Sequence, residues 1–142
     1  MRTSSRFTIA IHTLLAIAYF SGKLKTTSEL LASSVGVNPV IIRRTLGSLK
    51  KAGLVTVEAG VGGASLTRPA ECISLLDVLD AVEADGHGEV ELFSFHEHPN
   101  PACPIGGSIH NVLDDRLGRA RDAMRASLAE TSIADLKNEV DG

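Results

Sequence analysis

TTSELLASSVGVNPVIIRRTLGSLKKAGLVTVEAGVGGASLTR, residues Thr26 to Arg68, is the stretch whose reading decides the fold. Thr26 and Glu29 have the spacing of a capping box, in which a hydroxyl and a carboxylate satisfy backbone donors that a helix start leaves unpaired. The helix predicted from there carries Leu30, Leu31 and Val35 toward a core. It stops at Gly36, because glycine adopts the left-handed conformation of a helix end without steric cost. Asn38 and Pro39 then supply a second N-cap and a preorganised first helical position. Ile42, Leu46 and Leu49 follow at i, i+4 and i+7 on one face. Val40, Arg43, Arg44, Gly47, Lys50 and Lys51 are left to the other sides, and Gly53 ends the helix. Leu54 to Glu58 and Ala64 to Arg68 read as short strands around Gly60, Val61, Gly62 and Gly63, a hairpin whose tip can approach another backbone closely.

Two capped helices followed by a glycine-tipped hairpin make the plan of a winged helix-turn-helix. A helix that reads a major groove needs one apolar stripe to seat it and cations with small residues on the opposite side. A basic face on an isolated helix is an ordinary solvated surface. Here the order of the four elements gives it a nucleic-acid reading, with Asn38, Pro39, Val40, Ile41, Arg43, Arg44 and Lys50 of the second helix, Thr26 at the first, and Gly60, Gly62 and Gly63 of the wing as candidate DNA contacts.

The charge is distributed to match. Residues 1–70 hold nine Lys or Arg against two acids, a local charge of +7, whereas the rest holds five bases against fifteen acids, or −10. The chain's net charge of −3 therefore conceals a basic front half and an acidic rear half, which concentrates positive potential where phosphates would lie.

Outward from this stretch, Ser5 to Tyr19 predicts an opening helix with a broad apolar face from Phe7 to Ala18. His12 within it reads as a hydrogen-bonded core or groove residue. Arg2, Ser5 and Arg6 at its start are candidate phosphate contacts, or equally a cap and solvated cations. The apolar run Phe7 to Phe20 is interrupted by Thr8, His12 and Thr13 and is shorter than the roughly 20 residues of a membrane span. Arg2 and Arg6 imitate a secretory leader, but removing that segment would cost the module its first helix. Two cysteines in 142 residues suggest no disulfide framework, so a reducing cytoplasm is the expectation.

After the wing, Ser74 to Val82 is amphipathic, with Leu75, Leu79 and Val82 inward and Asp77 and Asp80 outward; Cys72 just ahead of it reads as core. Residues 88–107 look irregular. From Ser108 to Ala129 runs the longest helical pattern, in which Leu113, Leu117, Ala120 and Met124 recur at spacings of four, three and four, the seam of a helix that packs along another helix. With Ile109 they form a candidate dimer interface. A two-fold dimer would place two reading helices about one duplex turn apart, matching an inverted repeat. Thr131 to Val140 predicts a short, fraying final helix. The expected organisation is mainly helical with a small β-hairpin: a winged helix-turn-helix domain over 1–85, an irregular sensor loop over 86–107, and a dimerisation helix with the final helix over 108–142.

The succession SSRFTIAIHTLLAIA, the helix pair, KKAGLVTVEAGVGGASLTR, SLLDVLDAVE and a long C-terminal helix resembles the Rrf-two family of bacterial repressors, over about residues 1–130. The resemblance implies a homodimer with crossing long helices, the second helix of the pair in the major groove and the wing in the minor groove. Base reading would then be drawn from Val40, Ile41, Arg43 and Arg44. Many members carry an arginine before the wing glycine and an aromatic after the glycines; Ala59 and Ser65 stand there in this chain, which implies a different operator. Cluster-binding members present three closely spaced cysteines between the helix after the wing and the long helix. This chain has Cys103 alone there. Iron-sulfur clusters are normally held by four ligands, mostly thiolates, so no cluster is expected, and HPNPACPIG looks like the cluster-free branch.

Cys103, just ahead of the long helix, is a candidate sensor thiol, since a nearby helix N-terminus favours the thiolate; an inert thiol anchoring the loop is the other reading. His87, His96, His98 and His110 cluster in the same region with metal-ligand residue types but no standard spacing. No phosphate-cradling glycine-lysine loop and no nucleophile-base-orienter set can be made out. The sequence thus predicts a cytoplasmic, homodimeric DNA-binding regulator, a repressor answering a thiol-reactive or small-molecule signal. A winged-helix module that binds protein, and a metal-dependent sensor using the histidine-rich loop, stand as alternatives.

Overall fold

A computed structural model describes residues 5–59, 63–85, 93 and 95–141. Helices α1 (Arg6–Phe20), α2 (Ser28–Val35) and α3 (Pro39–Lys51) are followed by strands β1 (Val55–Glu58) and β2 (Gly63–Leu66), a single 3-10 turn (Ala70–Cys72), and helices α4 (Leu75–Ala84), α5 (Ile109–Ala129) and α6 (Ile133–Asp141). The two strands form an antiparallel hairpin that pairs Val55 with Leu66 and Glu58 with Gly63. No helix among the described residues is long and apolar enough to cross a membrane.

One core joins α1, α2, α3, the hairpin, α4 and the start of α6. The apolar face of α1 supplies Ala10, Leu14 and Ile17, and the stripe of α3 supplies Ile42, Leu46 and Leu49, all at most 4% exposed. The buried Thr13 hydroxyl is satisfied by donating to the Ile9 carbonyl at 2.8 Å. Gly36 and Gly53, at φ near +80°, end α2 and the turn after α3 as the sequence predicts.

The cap of α2 differs from the expectation. Thr27, not Thr26, is the N-cap and accepts from the Leu30 amide at 3.2 Å. Thr26 is buried, and its hydroxyl donates to the Ala64 carbonyl at 2.7 Å while the Ala64 amide donates back to the Thr26 carbonyl at 3.0 Å. The two adjacent threonines divide two tasks: one starts a helix, the other fastens the wing to the body.

Other corrections lie after the wing. Asp77 does not simply face outward. It closes a capping box with Ser74 and accepts an ion pair from Arg68 at 3.4 Å. Cys72 is exposed, and its neighbour Ile73 takes the core position. The final helix is docked rather than fraying. Ile133 is fully buried, its amide donates to the Ile73 carbonyl at 2.9 Å, and the Leu75 amide donates to the Thr131 carbonyl at 2.9 Å. Helix α6 thereby packs on α1.

Helix α5 stands apart. None of its 21 residues is buried. It packs on α4, where Arg125 meets Asp80 at 2.9 Å and Glu83 at 3.8 Å.

Candidate nucleic-acid interface

Helix α3 is capped by Asn38, whose Oδ1 accepts from the Val40 amide at 2.8 Å, with Pro39 as the first helical residue. Because its buried stripe faces the core, the opposite side of α3 is open, and Val40, Arg43, Arg44, Gly47 and Lys50 are all exposed. Val40 and Ile41 keep 48% and 39% of their surface in solvent. Exposed β-branched side chains beside cations gain nothing for the isolated fold, but they suit contact with thymine methyl groups and phosphates. Arg43 meets Glu29 of α2 at 3.7 Å, both largely exposed. Such pairs contribute about 0–1 kcal/mol, less than the ~1–3 kcal/mol of a good base contact, so the pair can open in favour of a duplex.

The two ends of the candidate set are placed differently. Ser5, at the cap position of α1, makes no side-chain cap, and its carbonyl instead accepts from the Thr8 hydroxyl at 3.0 Å. Ser5 and Arg6 are exposed at the edge of a cleft shared with Ile41 and Arg44 of α3. Thr26 and Gly63 are buried in the joint between wing and body. A Cβ on Gly63, whose φ is +79°, would stand 3.0 Å from the Thr26 amide nitrogen, so this glycine serves the wing's close docking. Arg2, Gly60 and Gly62 lie outside the described residues, as does His87.

At the far end of the molecule, Cys103 is half-buried in the turn ahead of α5. Asn100 organises this turn: its carbonyl accepts from the Cys103 amide at 3.2 Å and its Oδ1 from the Ala102 amide at 3.0 Å. The Gly107 amide donates to the Cys103 carbonyl at 2.8 Å. Amide donors at Gly106 and then Ile105 hold the thiol's pKa below its ordinary value, against a smaller opposing effect of burial. The sequence assigned this effect to the helix N-terminus; turn amides produce it instead.

His110 donates through Nε2 to the His96 carbonyl at 3.1 Å and lies against Phe95. His98 is beside Glu97 at 3.8 Å, both exposed. Among the described residues no group of three or more His, Cys, Asp or Glu is placed to hold a metal ion. His12, read as a core or groove residue, is exposed and hydrogen-bonded to the Ser34 hydroxyl at 2.9 Å. Of the candidate dimer residues, Ile109, Leu113, Leu117 and Met124 are half-buried and Ala120 is exposed.

The family model described as "Rrf2: Iron-dependent Transcriptional regulator" matches residues 3–139. The chain belongs to the Rrf2 family. Among Rrf2-like relatives, it is 44% identical over 137 residues to YwnA of Bacillus subtilis (strain 168), provisionally named an HTH-type transcriptional regulator, covering 96% of this chain and 98% of that one. A solved structure described provisionally as a DNA-binding protein is 40% identical, with a TM-score of 0.73 over 93% of this chain and 98% of that one. IscR of T. potens shares the fold at a TM-score of 0.72 and 18% identity, over 99% of this chain and 88% of that one. The Rrf2 description includes iron, yet this chain has two cysteines in all, one exposed on the 3-10 turn and one ahead of α5. Three thiolates for a cysteine-held cluster are not available in one chain.

Proposed function

We propose that this Rrf2 regulator is a homodimeric, cytoplasmic, sequence-specific DNA-binding repressor that carries no iron-sulfur cluster and reads a thiol-reactive or small-molecule signal through the segment around Cys103. The observation that carries the reading is the outer face of α3: Val40, Arg43, Arg44 and Lys50 lie exposed on a helix whose opposite stripe is fully packed. The +7 charge of the first 70 residues supports it. The dimer is supported by α5, 21 residues long and without a buried side chain in the single chain. A second copy laid along Leu113 and Leu117 would bury that seam and set two reading helices on an inverted repeat.

Selection from random duplexes should enrich an inverted repeat, and affinity for it should fall linearly on a log-log plot against salt as phosphate contacts release counterions. The Arg43→Glu, Arg44→Glu double variant should lose that binding while keeping its helical circular dichroism. Undiminished binding by the double variant would overturn the assigned face, and a pool without enrichment would favour the protein-binding alternative.

A further inference from the structure

The outer face of helix α3 extends round to one side of its core stripe. At 3.6 residues per turn, Ile41, Arg44, Thr45, Ser48 and Lys51 form one stripe that flanks the buried Ile42–Leu46–Leu49 stripe. This flank is one wall of a cleft of about 700 Å³, whose other walls are Ser5, Arg6 and Ile9 of the α1 end and Val82 and Asp85 of the α4 end.

The lining has two chemical parts. Ile9, Ile41 and Val82 make it partly apolar, while Arg6, Arg44 and Lys51 bring three cations against one carboxylate. That carboxylate is engaged by the protein: Asp85 accepts from the Ser48 hydroxyl and from the Lys51 ammonium at 3.2 Å. Among the described residues no carboxylate pairs with the Arg44 guanidinium. A concave wall of mixed apolar and hydroxyl groups closed by excess positive charge is the arrangement that holds a small ligand by its body and orients it by its charge. A duplex backbone would need the cations but not the apolar floor between three helices.

We propose that this cleft is a binding site for a small organic anion, an apolar body bearing one carboxylate, sulfonate or phosphate, seated between α1, α3 and α4 with its charge toward Arg44. Its occupant touches the reading helix directly. It also touches Asp85, the C-cap of α4.

The test is carried out on the full chain without nucleic acid, so its outcome is independent of the DNA reading. Naphthalene-2-sulfonate is titrated into the protein and followed by amide nitrogen-proton spectra, with naphthalene-2-sulfonamide as the uncharged counterpart. Saturable shifts confined to Ile9, Ile41, Thr45, Ser48 and Val82, at least tenfold weaker for the sulfonamide, are expected. The exposed pair Arg44→Gln, Lys51→Gln should weaken sulfonate binding at least tenfold, while Lys137→Gln on α6 leaves it unchanged. Equal binding of sulfonate and sulfonamide, shifts scattered away from the cleft, absence of saturable binding, or indifference to the Arg44 and Lys51 substitutions would each overturn the site.

Discussion

Gly63 shows how much of this fold hangs on single atoms. Gly36 and Gly63 share a positive φ near +80°, yet a Cβ on Gly36 meets nothing within 4 Å, whereas one on Gly63 presses on the Thr26 backbone. Replacing Gly36 with alanine should cost only the left-handed backbone penalty, ~1 kcal/mol. Gly63→Ala adds the loss of the wing's docking and should cost about 2–3 kcal/mol by urea unfolding; equal costs at the two sites would mean that the wing does not need so close an approach. Cys103 is the other residue whose behaviour follows from its immediate backbone. Amides of Gly106 and Ile105 favour its thiolate, so the thiolate persists to lower pH than in an unstructured peptide. In a Cys72→Ser background, the pH profile of iodoacetamide alkylation should therefore inflect below that of a cysteine peptide. Gly106→Ala, whose Cβ would overlap the Asn100 carbonyl oxygen, should move the inflection back up by displacing the donor.

At the scale of elements, the helix pair α2 and α3 was legible because its signals are local. Asn38 and Pro39, the apolar stripe of α3 and the glycine stops act within a few residues, and the structure uses each of them. The capping box of α4 was equally legible in Ser74 and Asp77 but hidden by reading Asp77 only as an outward charge. Helix α6 was misjudged for another reason. Its short pattern is weak by itself, and its order comes from Ile133 entering the core beside Ile73. Ile133→Ala should therefore cost 2–5 kcal/mol, the usual range for emptying a buried aliphatic site, measured by chemical denaturation. A loss under about 0.5 kcal/mol would return α6 to a frayed tail.

For the whole molecule the decisive feature is imbalance. Seven elements share one core, while the longest helix leaves its seam of Leu113, Leu117 and Met124 only half-covered. Apolar burial contributes roughly 25 cal/mol per Å², so covering that seam with a second copy favours association. Leu113→Arg with Leu117→Arg should yield a monomer in sedimentation equilibrium with helix content intact, because neither side chain belongs to the chain's own core. The same variant should bind a single half-site far more weakly than the parent binds the full repeat, since the linked second contact is lost. A double variant that stays dimeric would move the interface elsewhere.

The amino-acid order alone determined the helix pair, the hairpin and the charge division between the two halves of the chain, because caps, periodicity and net charge are properties of neighbours. It also determined which residues crowd the outer face of α3. Only the tertiary structure decided that Thr26 clasps Ala64, that α6 returns to α1, and that Asp85 reaches Ser48 across 37 residues to border a cleft. Those outcomes depend on which surfaces remain to be covered once the local elements have formed, and no window of sequence contains both partners.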